Sequence, residues 1–253
     1  MNIKISEITE ELELVGEDGF ESVKENYVTD EREGVKKLLV KYENRYEKLR
    51  IERARVKSMQ EYERSYPTYR YICGIDEVGR GPLAGPVIAC AIILPKDCEI
   101  LYINDSKQLS EKKREALYDE IMEKAISVGI GSASHARIDE INILQATYEA
   151  MRGAINKLGV VPELLLNDAV TIPEVVIPQV PIIKGDAKSI SIAAASIIAK
   201  VTRDRLMVEY DKVFPGYGFA SNKGYGSADH IKALKELGPS PIHRESFIKN
   251  FTS

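Results

Sequence analysis

Asp76 and Glu77 stand side by side at the end of an apolar run, and two more aspartates, Asp168 and Asp186, close similar runs in "ELLLNDAV" and "VPIIKGDAKS". Adjacent carboxylates are costly to bury unless a cation, water or a reaction compensates them. In a sheet with parallel members, strand ends of one polarity gather at one edge, so four such acids can converge there. A carboxylate cluster without histidine or cysteine favours a hard, oxygen-seeking cation, Mg²⁺ or Mn²⁺, over zinc. Two such ions about 3.5 to 4 Å apart are the usual arrangement for in-line hydrolysis of a phosphodiester. Taken singly, each aspartate also reads as a turn or cap residue, most plainly Asp186 ahead of "AKSISIAAASIIAK". Neighbours on an ideal strand point to opposite faces, so Asp76 and Glu77 share a site only where the strand ends or twists. Gly79 and Gly81 supply the freedom for that.

The glycines of "GRGPLAG" do not make a dinucleotide loop. Their spacing is wrong, and the strand-like "PVIACAIILP" follows where a phosphate-binding helix should begin. They suit a close backbone approach to a ligand, with Arg80 presenting a charged fork; a tight hairpin with a surface arginine is the plainer alternative. His135, His230 and His243 occupy a strand end, a helix and the tail, settings that read as structural, and no nucleophile elbow occurs.

These residues must be positioned by elements that the pattern places clearly. Strands are expected near 71–76, 87–94, 129–134, 163–167 and 180–184, and helices near 110–127, 137–158 and 188–210. Two strands joined by a short connection pair antiparallel, whereas later alternation with helices makes parallel crossovers, giving a mixed sheet with helices on both faces. Ahead of it, "ISEITEELELV" and "GFESVKENYV" read as short helices. Leu38, Leu39, Tyr42, Tyr46, Leu49, Arg53 and Val56 then mark one long amphipathic helix, broken near Pro67. The expected division is a helical extension over 1–70 and a main domain over 71–253 with a helical tail.

The 253 residues, 44% apolar, suffice for one substantial core. No apolar run is long enough for a membrane span, and the acidic start is unlike a secretory signal, so no membrane partner and a cytoplasmic location are expected. Three cysteines without paired spacing disfavour a disulfide framework and a zinc site. The net charge of −4 conceals an asymmetry: residues 1–34 hold 11 acidic and 3 basic side chains, residues 35–70 hold 11 basic and 5 acidic. The basic segment can attract phosphates, or it is a solvated face with internal ion pairs.

In order along the chain, "GIDEVGRGPLAGPVIACAIIL", "NDSKQLSEKKRE", "LLLNDAV", "IIKGDAKSISIAAASIIAKVTRDRLM", "NKGYGS" and "GPSPIHRESF" closely resemble bacterial ribonuclease HII, the type 2 ribonuclease H, over about 71–248. The resemblance implies an α/β, ribonuclease H-like mixed sheet flanked by helices. It implies metal-dependent hydrolysis of the RNA strand of RNA–DNA hybrids, leaving 5′-phosphates, and cleavage 5′ of a lone ribonucleotide in duplex DNA, as in ribonucleotide excision. Asp76, Glu77, Asp168 and Asp186 match the family's metal-binding acids, serving two Mn²⁺ or Mg²⁺ ions. Gly79, Arg80 and Gly81 match the loop that touches 2′-hydroxyls, and Tyr225 the aromatic that packs on the following sugar. Lys107, Lys184, Lys188, Lys200 and Arg203 are candidates for phosphate contacts or for orienting the acids, with Ser196, Lys200 and Arg203 on one helical face. His243 and Arg244 match family positions, with no role assigned beyond backbone contact. The helical front and the intact Gly-Arg-Gly favour ribonuclease HII over the alternative of a ribonuclease HIII-like hybrid nuclease. A hybrid-binding adaptor without activity is the alternative of another class.

Overall fold

The computed structural model describes residues 3–251. The chain forms two compact units, Met1–Arg55 and Val56–Ser253. In the first, helix α1 (Ile5–Tyr27) is bent at Gly16, whose φ of 63° and ψ of −156° lie outside helical space, so the two short helices of the sequence reading share one run. Its apolar stripe, Ile8, Leu12, Phe20 and Val23, packs on Val35, Leu39, Tyr42 and Tyr46 of α2 (Glu33–Ser58). Acidic α1 and basic α2 also pair by charge: Lys24 lies 2.7 Å from Glu43, and Arg50 and Arg53 both approach Glu17.

α2 stops at Ser58 rather than running on to Pro67, and only one further turn, α3 (Glu61–Arg64), follows. Tertiary bonds take up the groups that a continuing helix would use. The Met59 carbonyl accepts from the Ile190 amide at 2.9 Å, the Gln60 side chain donates to the Cys98 carbonyl at 2.7 Å, and Glu63 accepts from Ser189 Oγ at 2.6 Å. Residues 56–70 thus belong with the second unit.

The second unit is built on strands β1 (Ile72–Val78), β2 (Val87–Ile93), β3 (Ser127–Ala133), β4 (Leu164–Asp168) and β5 (Gln179–Ile182). They form one five-stranded sheet in the order β3-β2-β1-β4-β5. β1 pairs antiparallel with β2, and β2 with β3, while β1–β4 and β4–β5 are parallel. Helix α4 (Glu111–Lys124) precedes β3, α5 (His135–Asn156) follows it, and α6 (Ile190–Val213) follows β5. Three short helices close the chain: α7 (Phe219–Asn222), α8 (Ala228–Leu237) and α9 (Glu245–Ile248).

β2 is buried along its whole length, and its alternation shows the layering. Ile88, Cys90 and Ile92 join the core under α6; Val87, Ala89, Ala91 and Ile93 join the core under α5. Small residues set the spacing. A Cβ on Gly74 would collide with the Ser191 backbone of α6, and one on Gly131 with the Ala150 carbonyl of α5. "AAAS" at 193–196 is accordingly buried as helix-to-sheet packing. Among the described residues, no helix is long and apolar enough to cross a membrane.

Candidate active site

Because β1, β4 and β5 are parallel, their carboxyl ends lie at one edge, where the four acids sit. The β1–β4 ladder ends at Ile75 and Asn167, whereas β1 stays paired with β2 through Val78. Beyond Ile75, then, β1 has lost one neighbour, and in this seam stand Asp76 and Glu77 opposite Asp168, the last residue of β4. Asp186 lies on the tight turn Gly185–Ala187 after β5, entered through Lys184 in left-handed conformation (φ 58°). The Gly185 amide donates to Asp168 Oδ1 at 2.8 Å and ties that turn to β4.

Asp76, only 6% exposed, faces α6. Burial raises its pKa well above the usual carboxylate range, and the charges of Glu77 and Asp168 raise it further. The Ser196 hydroxyl and the Glu77 amide, which donates to its Oδ1 at 2.8 Å, act against this. Glu77 is also raised, first by burial and then by Asp168, with Arg80 opposing. Burial raises Asp186, as do Asp105 and Asp168, against Lys107. Asp168 is therefore the acid whose charge each of the other three senses. Lys107 sits among these groups: burial lowers its pKa, but Asp105, Asp76, Asp186 and Asp168 together outweigh burial and raise it.

The donor set is all carboxylate, and three of its members are shifted upward partly by the charge of the fourth, Asp168, so it fits a divalent cation with oxygen preference. Among the described residues, no three acidic, histidine or cysteine side chains are already drawn together tightly enough to enclose an ion.

The loop after β1 behaves differently at its two glycines. Gly79 has φ 91°, and a Cβ there would strike the Arg203 guanidinium, so only glycine fits; around Gly81 there is open space. Arg80 is exposed, with Nη1 at 3.3 Å from Glu77 Oε1. Tyr225 is exposed too, its ring centre 5.9 Å from Lys200 Nζ and 5.8 Å from the Arg203 guanidinium. Lys184 and Lys188 are exposed on the Asp186 turn.

Two sequence candidates take other places. Arg203 is fully buried and donates to the carbonyls of Pro86, Ala84 and Lys223 at 2.9, 3.0 and 2.8 Å. It braces backbone and is not available to a phosphate. Lys200 is committed to Asp204 at 2.7 Å, and burial lowers its pKa despite that partner. Helical spacing gave Ser196, Lys200 and Arg203 one face; it did not tell solvent from interior.

One residue went unread, and another was read with no role beyond backbone contact. Asp105 appears in "NDSK" as the cap of the turn Ser106–Gln108, accepting from the Lys107 amide, yet it is the largest charge acting on Asp186. Arg244 is buried, with its guanidinium on the carbonyls of Gly79, Arg80 and Gly85. The sequence marked Arg244 as a family position; that its guanidinium lies under the loop of Gly79 and Arg80 it did not show.

His230 and His243 are structural. The Ser240 amide donates to His243 Nδ1 at 2.9 Å, so the proton of a neutral His243 lies on Nε2 and is given to His230 Nε2 at 3.0 Å. His230 then carries its proton on Nδ1 and donates it to the Tyr225 carbonyl at 2.8 Å. This chain of bonds fixes the backbone under Tyr225.

The Ribonuclease HII family model matches residues 73–250, and the Ribonuclease HII N-terminal domain model matches 4–67. The chain is 91% identical over 253 residues to Ribonuclease HII of Lachnoclostridium phytofermentans, covering 100% of both chains. Among solved structures it is similar to ribonuclease H2 from Pyrococcus horikoshii OT3, with TM-score 0.60 and 27% identity over 72% of this chain and 96% of that one. It is likewise similar to RNase HII in its complex with PCNA from Archaeoglobus fulgidus, with TM-score 0.59 and 26% identity over 72% of this chain and 97% of that one.

The imidazole pair makes stability depend on pH. Burial lowers the pKa of His230, and burial together with His230 lowers that of His243 to about 4. The unfolded chain takes up protons below about pH 6.5 and the folded chain resists them, so stability falls as pH drops from there toward 4. Urea melts at pH 7.5 and 5.0 should show this loss in the wild type. His243→Gln should be less stable at pH 7.5 but decline less, by up to about 1.4 kcal/mol per pH unit for the one imidazole. Equal declines would contradict the assignment.

Proposed function

The chain belongs to the ribonuclease HII family, nucleases that act on RNA–DNA hybrids, and from that premise we propose that its four clustered acids carry out the hydrolysis and its Gly-Arg-Gly loop selects the sugar. The observation that carries the reading is the seam between β1 and β4, where burial and the charge of Asp168 raise the pKa values of Asp76 and Glu77, and where Asp168 also acts on Asp186. The family is divalent-metal dependent, and in this reading two Mg²⁺ or Mn²⁺ ions are held by Asp76, Glu77, Asp168 and Asp186. Bound there, the metal supplies Lewis acidity at the scissile phosphate and a water acidic enough to attack near neutral pH.

The chain's own residues do the rest. The carboxylates orient the reacting phosphate's surroundings and keep a strong negative potential away from bulk water. Lys107, placed among the acids, balances that charge at the phosphate, and exposed Lys184 approaches the backbone on the other side. The loop of Gly79, Arg80 and Gly81 meets the 2′-hydroxyl at the junction, and Tyr225 packs on the next sugar. The 2′-hydroxyl is what separates RNA from DNA at a given position. Cleavage on the 5′ side of a ribonucleotide, single or within a hybrid, leaves a 5′-phosphate on it.

A labelled duplex with one embedded ribonucleotide and a uniform RNA–DNA hybrid test the reading together. The wild type should cut both in Mg²⁺ or Mn²⁺, and Asp76→Asn should be slower on both by at least the ~10²–10³ of one electrostatic element. An Asp76→Asn protein with wild-type rates would overturn the mechanism; binding of the duplex without a cut would favour the adaptor reading.

The first unit is assigned a share in duplex binding. α2 carries exposed Lys36, Lys37, Lys41 and Lys48, while the acids of α1 engage Arg50 and Arg53. If those lysines displace counterions, reversing Lys36, Lys41 and Lys48 to glutamate should flatten the salt dependence of hybrid affinity by about 0.9 per lost phosphate contact. Unchanged slopes would leave the unit a structural extension.

A further inference from the structure

Two fully buried arginines lie under the Gly-Arg-Gly loop, and among the described residues neither is in an ion pair. A buried guanidinium without a carboxylate is costly, so what it binds instead is informative. Arg244 Nη2 donates to the Gly79 carbonyl at 2.6 Å, Nη1 to the Arg80 carbonyl at 2.9 Å, and Nε and Nη2 to the Gly85 carbonyl at 3.0 and 2.9 Å. Arg203 holds the other limb of the loop through Ala84 and Pro86, and joins it to the Tyr225 segment through Lys223.

The peptide bonds here are trans, and in a planar trans peptide the carbonyl of one residue and the N–H of the next point in opposite directions. A Gly79 carbonyl drawn inward therefore turns the Arg80 N–H outward, and an Arg80 carbonyl drawn inward turns the Gly81 N–H outward. Among the described residues, neither amide has a hydrogen-bond partner within the chain. Open space surrounds Gly81, which leaves room for a ligand atom at these donors.

We propose that Arg244 is the positioning residue of the sugar-selecting loop: its fork on the Gly79 and Arg80 carbonyls presents the Arg80 and Gly81 amides as a fixed pair of donors to the ribose at the junction. The inference rests on the loop's role in reading the sugar. Lysine does not replace the arginine, because a single ammonium lacks the planar fork that reaches three carbonyls at once. The backbone carrying Arg244 is itself fixed by Asp139 of α5, which accepts from the Glu245 amide at 2.8 Å and the Ser246 amide at 3.0 Å.

The test is the ratio of kcat/KM on a duplex with one embedded ribonucleotide to kcat/KM on a uniform RNA–DNA hybrid, for the wild type, Arg244→Lys and Asp139→Ala. The hybrid offers a 2′-hydroxyl at every register, whereas the duplex offers one. Loss of folded protein lowers both rates alike and leaves the ratio unchanged, so the ratio separates positioning from stability. Arg244→Lys should lower the ratio by about tenfold or more, within the range that small misplacements of a bound group produce. Asp139→Ala, which removes a surface anchor and leaves the guanidinium in place, should lower it in the same direction by less, and decides the matter if Arg244→Lys does not fold. Ratios equal to the wild type in the folded variants would overturn the proposal. A wild-type enzyme that cuts the hybrid but leaves the single-ribonucleotide duplex intact would instead refute the sugar-selecting role of the loop, and the inference with it.

Discussion

Mutual repulsion among carboxylates at the carboxyl ends of three parallel strands is the constraint on which this structure turns. A sheet edge can bring such groups together only where the ladder between two strands stops, and here β1 and β4 part after Ile75 and Asn167 while β2 continues to hold β1. The rigid scaffold keeps Asp76, Asp168 and Asp186 close although their charges oppose it. The outcome is that burial and neighbouring carboxylate charge push up the pKa values of Asp76, Glu77 and Asp186, a condition that a divalent cation relieves.

Positive charge is handled in the opposite way. Arg203 and Arg244 are withdrawn beneath the loops and satisfied by backbone carbonyls, while Arg80 and Lys184 stay at the surface. The buried pair turns loop backbone into a shaped surface, and the neutral His230–His243 chain does the same for the segment carrying Tyr225. Burial lowers the pKa of Arg244 to about 9, with Arg203 adding to the effect, a measure of how far these charges have been removed from water. In the proposed reading, acids in a seam and loops on a cationic floor together place a sugar beside the reactive phosphate.

Much of this was legible before any coordinates. The acids announced themselves because each closed an apolar run and two were adjacent; the strands followed from a period of two and the helices from steps of three and four. Gly16 divided α1 where the two short helices were read. What escaped the sequence was decided by long-range contacts. α2 ended early because Met59 and Gln60 found partners more than thirty residues away. Arg203 and Arg244 have the composition of surface residues, and only the carbonyls of a folded loop make them interior ones. Asp105 caps a local turn, and its closeness to Asp186 is a property of the tertiary fold.

The most direct test of the account is thermal melting in a chelator and in Mg²⁺ or Mn²⁺, for the wild type and for Asp168→Asn, which keeps the oxygen that accepts from Gly185. Removing the charge that all three other acids sense should raise the melting temperature in chelator. Cation should stabilise the wild type, by about 2.7 kcal/mol at a hundredfold excess over its dissociation constant, and stabilise the variant less. A wild type indifferent to cation, or a variant that is less stable in chelator and gains just as much from the cation, would contradict the claim that these acids form one repelling, cation-seeking cluster.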